Sequence, residues 1–410
     1  MVKDFEDIIS FQTKWMFVGT DVNNYLLLKK PPIKERKIFF RYFFRLLFFT
    51  IGSIRITTLY FHQDKSYTAE SNRIDHIIGS TQHGYSEDLE YRYKNYFKVF
   101  NSEVKKKYII FDEYNKKQYT KICSISLYDL LQEVNLNAKE SSDLISRIND
   151  MNFLKLILPF TIKNLSFFSY FALLFRTLGK HNNALEFFSG GNELVAGAAI
   201  KEHIKTNLFK HGLMSKVSKF SLLNYSNIYV YTIDEKKYIE QLGCTTEIQT
   251  YQFAQLNKRT SKVIIFGNPV NLTQINELKL ISDISIFFSR LNIETIYKCH
   301  PSMKKKEQEK ISAMLNIMVI SKKIDCQELI KELLPMFCFG WRSTGLCESL
   351  NSGVIPVTTI QESEISQLDH YDFVYPFHKR TLSWDLDKTL IKEISTKNSE
   401  YEKILSKLNG

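Results

Sequence analysis

Two turns carry the residues of this sequence best suited to chemistry on a phosphorylated ligand. His300-Pro301 closes an apolar run and precedes Lys304-Lys305-Lys306. An imidazole at a strand end can donate to a phosphate oxygen, and nearby ammonium groups add field. Gly340-Trp341-Arg342-Ser343-Thr344-Gly345 opens a helix. A helix N-terminus with unpaired N–H groups and two hydroxyls is a ready anion site, although either hydroxyl can equally serve as an ordinary cap. Glu348 lies about one turn further on, where its carboxylate either reaches a ribose hydroxyl or faces solvent. Gly267-Asn268-Pro269 ends another buried run and makes a third turn of the same kind.

Three residues are candidates for a general base. His211-Gly212 follows Thr206-Asn-Leu-Phe-Lys, and the unperturbed pKa of histidine, about 6.5, suits proton transfer near neutral pH. Asp112-Glu113 follows Tyr108-Ile-Ile-Phe. Glu193 follows Gly190-Gly191-Asn192, a strand-to-helix turn whose glycines also fit a tight turn with close packing behind it. His83-Gly84 repeats the histidine dipeptide, which shows how easily that pair arises by chance.

These residues need elements to hold them. From Lys262 short apolar runs alternate with helical patterns: strands at Lys262-Val-Ile-Ile-Phe, Ile293 to Cys299, Ile317 to Ile320, Met336 to Gly340 and Val354 to Thr358, with helices between. Such alternation predicts βαβ units and a parallel sheet. Ligands bind beyond the carboxyl ends of the strands of open parallel sheets, where Gly267, His300 and Gly340 to Thr344 all fall, so these turns should converge on one cleft. Further strand edges are expected at Trp15 to Gly19, Asp75 to Gly79, Lys107 to Phe111, Ala184 to Phe188, Thr206 to Phe209 and Asn227 to Thr232. Helices are expected at Asn192 to Lys205 and Asp234 to Leu242, and a Phe-rich helical insertion between about 120 and 180. Gln249 to Ser261 is polar and reads as a linker. The expected domains are therefore 1–250 and 258–380, with a charged helix over 381–410 packing back on the first.

The histidine-proline turn, the Ser-Thr pair, Glu348, Gly353 and the strand Val354-Ile-Pro-Val together resemble GT-B glycosyltransferases: α/β proteins with two Rossmann-like domains facing a central cleft. The resemblance extends over roughly 110 residues and is nearest to bacterial sialyltransferases and to capsule and lipopolysaccharide transferases. It implies that His300, Pro301, Arg342, Ser343 and Thr344 grip the donor phosphate, that Gly267, Asn268 and Glu348 hold the nucleoside, and that a sialic-acid-like or Kdo-like sugar passes from a CMP-activated donor to a glycan or lipid-linked glycan. Those sialyltransferases carry an acidic pair followed by Gly, whereas here Tyr114 follows Asp112-Glu113. The pairing of His211-Gly with His300-Pro is also similar to teichoic-acid glycerophosphotransferases, which implies His211 as base. A CDP-polyol phosphotransferase, a UDP- or GDP-sugar transferase and a nucleotide-binding α/β protein without chemistry remain alternatives. No Asp-x-Asp metal motif is read in the sequence, so no metal and no cofactor beyond the donor are expected.

Composition bounds the rest. The 410 residues are 44% hydrophobic, with 55 Lys and Arg against 44 Asp and Glu, a net charge of +11. The excess is scattered, which favours a phosphorylated ligand or an acidic membrane surface over nucleic acid. Six cysteines without a close pair read as reduced thiols, and the first ten residues carry acids and no apolar signal core. A cytoplasmic protein, peripheral on the inner face of the membrane, is expected. A spanning helix needs about 20 mostly apolar residues. Arg41, Arg45 and Arg55 interrupt the stretch from Ile38 to Phe61; Lys163 and Arg176 bound the stretch from Leu165 to Phe175. Neither is read as a span, and the second is read as a core or an interfacial helix.

Overall fold

The computed structural model describes residues 4–9, 11–35, 38–61, 76–80, 108–112, 125–189, 193–210, 214–251, 255–256, 258–267, 275–300, 303, 305–315, 317–321, 324–341, 343–361 and 380–409. The chain forms two compact units. The first comprises Met1–His211, Val217–Val230 and Lys236–Gln249; the second comprises Gly212–Lys216, Tyr231–Glu235 and Thr250–Gly410.

The first unit opens with α1 (Phe5–Ile8), a 3-10 turn (Phe11–Phe17), α2 (Thr20–Leu28) and α3 (Ile38–Phe61). Then come β1 (His76–Ser80), β2 (Tyr108–Asp112), α4 (Leu127–Ile145), α5 (Met151–His181), β3 (Glu186–Ser189) and α6 (Glu193–Lys201). β4 (Lys205–Phe209), β5 (Asn227–Val230), α7 (Ile233–Gln241) and β6 (Glu247–Thr250) complete the series. The sheet order is β2-β1-β3-β4-β5-β6, and the pairs from β2 to β5 are parallel. Parallel neighbours need a crossover, and the one from β2 to β3 contains the expected Phe-rich insertion, α4 and α5. Ser126 caps α4 by accepting from the Asp129 amide at 3.1 Å, and Asp150 caps α5 by accepting from the amides of Asn152 and Phe153 at 2.9 and 3.0 Å. α5 buries Phe153, Phe168, Phe171 and Phe175 completely, so it is a core helix.

Buried charges tie this layer together. The Arg176 guanidinium donates to both Glu202 oxygens at 2.7 Å and to Glu133 at 2.7 Å, while Lys201 pairs with Glu133 at 3.5 Å and Glu140 at 3.2 Å. Asn137 donates to Glu133 and to Ser169, both at 3.0 Å. α4, α5 and α6 are thus linked by one hydrogen-bonded network, which fixes the helix that begins at Glu193.

The second unit contains β7 (Lys262–Phe266), α8 (Ile275–Ser289), β8 (Glu294–Lys298), α9 (Lys305–Met314), β9 (Met318–Ile320) and α10 (Cys326–Leu333). It continues with β10 (Phe337–Gly340), α11 (Thr344–Asn351), β11 (Ile355–Thr358), β12 (Leu382–Ser383), α12 (Lys388–Thr396) and α13 (Asn398–Asn409). All its strand pairs are parallel, in the order β12-β11-β10-β7-β8-β9. Numbered from its own first strand this is 3-2-1-4-5-6 reversed, the order of dinucleotide-binding Rossmann folds. Val263, Tyr297, Phe337, Phe339 and Val357 form its core with Phe288 and Ile284 of α8. Two Rossmann-like units, the first with a Phe-rich helical insertion, make up the expected α/β fold class.

Four expectations need correction. Trp15 to Gly19 is no strand edge: Trp15, Met16 and Phe17 belong to the 3-10 turn, all three are buried, and Trp15 stacks on Phe168 at 4.5 Å. The polar linker begins inside the first sheet, because β6 is a strand in which only Ile248 is buried. The C-terminal tail packs on the second unit's own core through Tyr401, Ile404, Leu405 and Leu408. There the Tyr401 hydroxyl donates to the Met336 carbonyl at 2.8 Å and accepts from the Ile355 amide at 3.0 Å. Finally, the arginines do not break α3, an unbroken helix of 24 residues that is long and apolar enough to cross a membrane by length and composition; α5 passes the same test and is the core helix expected.

Removing one partner from the buried network strands the others. Glu133→Ala is expected to cost about 3–5 kcal/mol and to lower the melting temperature by roughly 10 °C. Differential scanning calorimetry of parent and variant checks this; an unchanged melting temperature refutes it.

Candidate functional site

In the second sheet the chain runs outward from β7 to β8 and β9, then returns to the other side of β7 with β10. The crevice at such a reversal, beyond the carboxyl ends of the strands, is where ligands bind in this architecture. The residues at that edge are built for close approach. Gly267 follows β7, and its amide donates to the Lys298 carbonyl at 2.8 Å. A Cβ at Gly267 would collide with the Tyr297 hydroxyl and lie 3.1 Å from the His300 amide nitrogen, so only glycine lets the two turns meet. His300, half-buried two residues beyond β8, has its carbonyl held by the Met303 amide at 2.9 Å.

The turn after β10 is shaped the same way. Gly340 accepts from the Thr359 amide at 2.9 Å. Ser343 is the N-cap of α11, its Oγ accepting from the Gly345 amide at 3.2 Å, so of the two hydroxyls this one is engaged in capping. Thr344 is the first helical residue. Gly345 sits against the Phe266 ring, where a Cβ would stand 2.7 Å from Cε2, and that contact seats the start of α11 on β7. The structure thus gathers Gly267, His300, Ser343 and Thr344 at one sheet edge. Asn268, Pro301 and Arg342 lie outside the described residues.

Beneath this edge lies a set of buried ionisable groups. Glu348 is 9% exposed, which rules out the solvent-facing alternative. Burial pushes its carboxyl up to about 8; Asp325 adds to the shift and Lys298 opposes it. Glu348 Oε2 and Asp325 Oδ2 are buried without a hydrogen-bond partner, the other Asp325 oxygen capping α10 at the Gln327 amide, 2.9 Å away. The Lys298 ammonium donates to the Cys299 carbonyl at 2.9 Å, and burial lowers its pKa against the pull of Cys326, Cys299, Asp325 and Glu348. Lys298 was missed in the sequence. The signal is a lysine ending the apolar strand Thr295-Ile-Tyr-Lys, because a lysine is almost never fully buried without partners.

Two of the three base candidates, Glu193 and Asp112, map to the carboxyl edge of the first sheet. Glu193 begins α6 just after β3, and burial raises its carboxyl pKa while Lys210 opposes the shift. The Tyr225 hydroxyl is raised by burial and by Glu193, with Ser189 at the end of β3 opposing the shift. His211 lies outside the described residues, but its neighbour Lys210 directly follows β4, the strand beside β3. Asp112 ends β2, with β1 between it and β3. Neighbouring strands lie about 4.8 Å apart, so the backbone of Asp112 is about 10 Å from β3 and about 14 Å from β4. Glu193 and the β4 turn therefore form a local pair that Asp112 does not join.

One Asp-x-Asp string does occur, Asp385-Leu386-Asp387 after β12. The Asp387 carboxylate accepts from the Ser383 amide at 2.7 Å, and the described residues hold no group of three or more His, Cys, Asp and Glu suited to a metal ion.

No family model and no curated protein matches the chain. Among solved structures it is similar to a putative UDP-N-acetylglucosamine 2-epimerase from Listeria monocytogenes, at 13% identity over 82% of this chain and 92% of that one, with a TM-score of 0.44. It is also similar to S. aureus MnaA solved with UDP, at 10% identity over 82% and 91%, TM-score 0.43. A third likeness is to the GtfA/B complex, at 12% identity and TM-score 0.34, where the chain spans 58% of its own length and 58% of its match. These likenesses are distant, and the fold rests on the strand order described above.

Glu348 also makes stability depend on pH. Its pKa in the folded chain is about 8 against an ordinary 4.5, so the folded form binds the proton more tightly than the unfolded form. The stability it contributes is complete below pH 4.5 and is lost as pH rises toward 8, at up to about 1.4 kcal/mol per pH unit. Glu348→Gln should flatten the fall in melting temperature between these limits. Identical pH profiles for parent and variant would contradict the buried, protonated carboxyl.

Proposed function

We propose that this chain is a nucleotide-sugar-dependent glycosyltransferase of bacterial surface-polysaccharide assembly. The observation that carries the reading is the reversal point of the second sheet, where two glycine-shaped turns, His300 and the start of α11 surround the position a nucleotide takes in this strand order. His300, Thr344, Arg342 and the amides opening α11 meet the phosphate charge, a preorganised cluster of donors that strengthens as charge builds on the leaving group. Glu348, neutral at pH 7 for most of the time, can donate a hydrogen bond to a nucleoside hydroxyl as well as accept one. The donor we assign is a CMP-activated acidic sugar, following the resemblance of these motifs to bacterial sialyltransferases.

Of the base candidates, Glu193 is the one whose surroundings tune it. Burial raises its pKa and the Lys210 charge opposes the shift, the pairing of influences that tunes a general base. His211, on the turn after the adjacent strand, is the alternative that goes with polyol-phosphate transfer.

A thermal-shift titration with CMP, CDP, UDP, GDP and a nicotinamide dinucleotide tests the donor. A nucleotide at 100 times its dissociation constant adds about 2.7 kcal/mol of stability. A shift with CMP alone is expected. A shift with CDP favours polyol-phosphate transfer, UDP or GDP replaces the donor while keeping the transferase, and no shift with any nucleotide removes the assignment. His300→Ala should weaken nucleotide binding, whereas Glu193→Gln should leave it unchanged and slow turnover by roughly 10²–10⁴-fold. Full turnover in Glu193→Gln would move the base to His211.

A further inference from the structure

α3 turns its charges inward and its apolar face outward, the reverse of a helix on a soluble domain. Phe48, Gly52 and Ile56 are its buried residues. The closest approach is at Gly52, where a Cβ would stand 2.7 Å from Val134 of α4, and the Gly52 carbonyl accepts from Ser166 of α5 at 3.2 Å. The three arginines follow this inward side. Arg41 pairs with Asp143 at 3.0 Å, Arg45 donates to Asn135 at 3.2 Å, and Arg55 donates to the carbonyls of Ile162 and Lys163 at 3.0 and 2.9 Å. They are the only charged residues between Ile38 and Phe61.

The opposite side is a stripe with the spacing of one helical face: Phe39, Phe43, Leu46, Thr50, Ile54, Thr57 and Phe61. Its five large apolar side chains are 52–76% exposed. A stripe of this kind over 24 residues needs an apolar environment, and the charge around it says which. From Lys29 to Phe61 there are eight Lys and Arg against one acid, Glu35, and five of the eight (Lys29, Lys30, Lys34, Arg36 and Lys37) immediately precede the helix. A basic cluster beside an uncharged aromatic face is the pattern that binds an anionic lipid surface. A spanning arrangement would bring α4, with Glu133, Glu140 and Asp143, into hydrocarbon as well, at high cost.

We propose that α3 is a membrane-docking helix that lies in the plane of an anionic bilayer, with Phe39, Phe43, Leu46, Ile54 and Phe61 in the acyl boundary and the exposed Lys29 and Lys30, with Lys34, against the headgroups. A second copy of the chain is the competing occupant.

The test is co-sedimentation of the full chain with phosphatidylcholine vesicles, with and without phosphatidylglycerol, for the parent and for a Phe39→Ser, Phe43→Ser, Leu46→Ser variant. These side chains are exposed, so the variant should melt like the parent. The parent should bind the anionic vesicles, lose binding as ionic strength rises, and gain hydrogen-exchange protection within residues 38–61. The variant should bind at least about tenfold more weakly. If it does not melt like the parent, the single change Leu46→Ser with the same exchange readout replaces it. No binding by the parent, equal binding by the variant, protection elsewhere than 38–61, or a vesicle-independent dimer that the variant dissolves would each overturn the proposal.

Discussion

Strands buried on both faces dictate most of this molecule. Phe337-Cys-Phe-Gly and Val263-Ile-Ile-Phe leave no polar face, and a sheet of such strands is stable only with helices on each side, which in turn requires parallel pairing and a helical crossover for every step. The consequence is that every strand-to-helix turn of a sheet emerges on the same edge. Gly267, His300 and Ser343 are far apart in the sequence yet share an edge, and Asp112, Glu193 and the β4 turn share the corresponding edge of the first sheet. Neither gathering required any residue to evolve contact with another; the direction of the strands supplies both.

The two groups of buried charges differ in how fully they are satisfied. In the network of Glu133, Arg176, Lys201 and Glu202 each charge faces an opposite one, and Asn137 and Ser169 take up further hydrogen-bonding capacity. Such a network is costly to break and orders the helices that carry it. The group of Lys298, Asp325 and Glu348 is incomplete: one oxygen of each acid is buried without a partner. An unpaired acceptor in low dielectric is expensive to keep unless something supplies the missing donor. A nucleoside hydroxyl is a donor of the right kind, and the proton held by Glu348 up to about pH 8 offsets the cost in its absence.

The second half of the chain was legible because its strands are short, wholly apolar and stopped by Gly or Pro, so type and direction could be read without knowing the partners. A hydroxyl cap at Ser343 or Thr344 followed from the same local logic. What escaped depends on neighbours. Nothing local says that Trp15, Met16 and Phe17 all point inward, since that requires α5 and its Phe168. β6 is polar because it is an edge strand, and the tail's destination was set by Tyr401 meeting two backbone groups 46 and 65 residues away. Lys298 looked like a charge ending a strand, and only its burial beside two acids gives it meaning.

The arginines of α3 show the same limit most sharply. Counted along the sequence they interrupt an apolar stretch; placed on a helix they occupy one side and the apolar residues the other. The layering of the first unit explains why they turn inward. α6 covers the sheet, α5 covers α6 and α4 joins it, so α3 is the last layer and packs on two helices whose outer surfaces still carry Asn135, Asp143 and the carbonyls of Ile162 and Lys163. The arginines give these groups charged partners that an all-apolar helix would not. With its polar needs met from within, α3 has no charge left for its outer face, and water is the one neighbour that face does not suit.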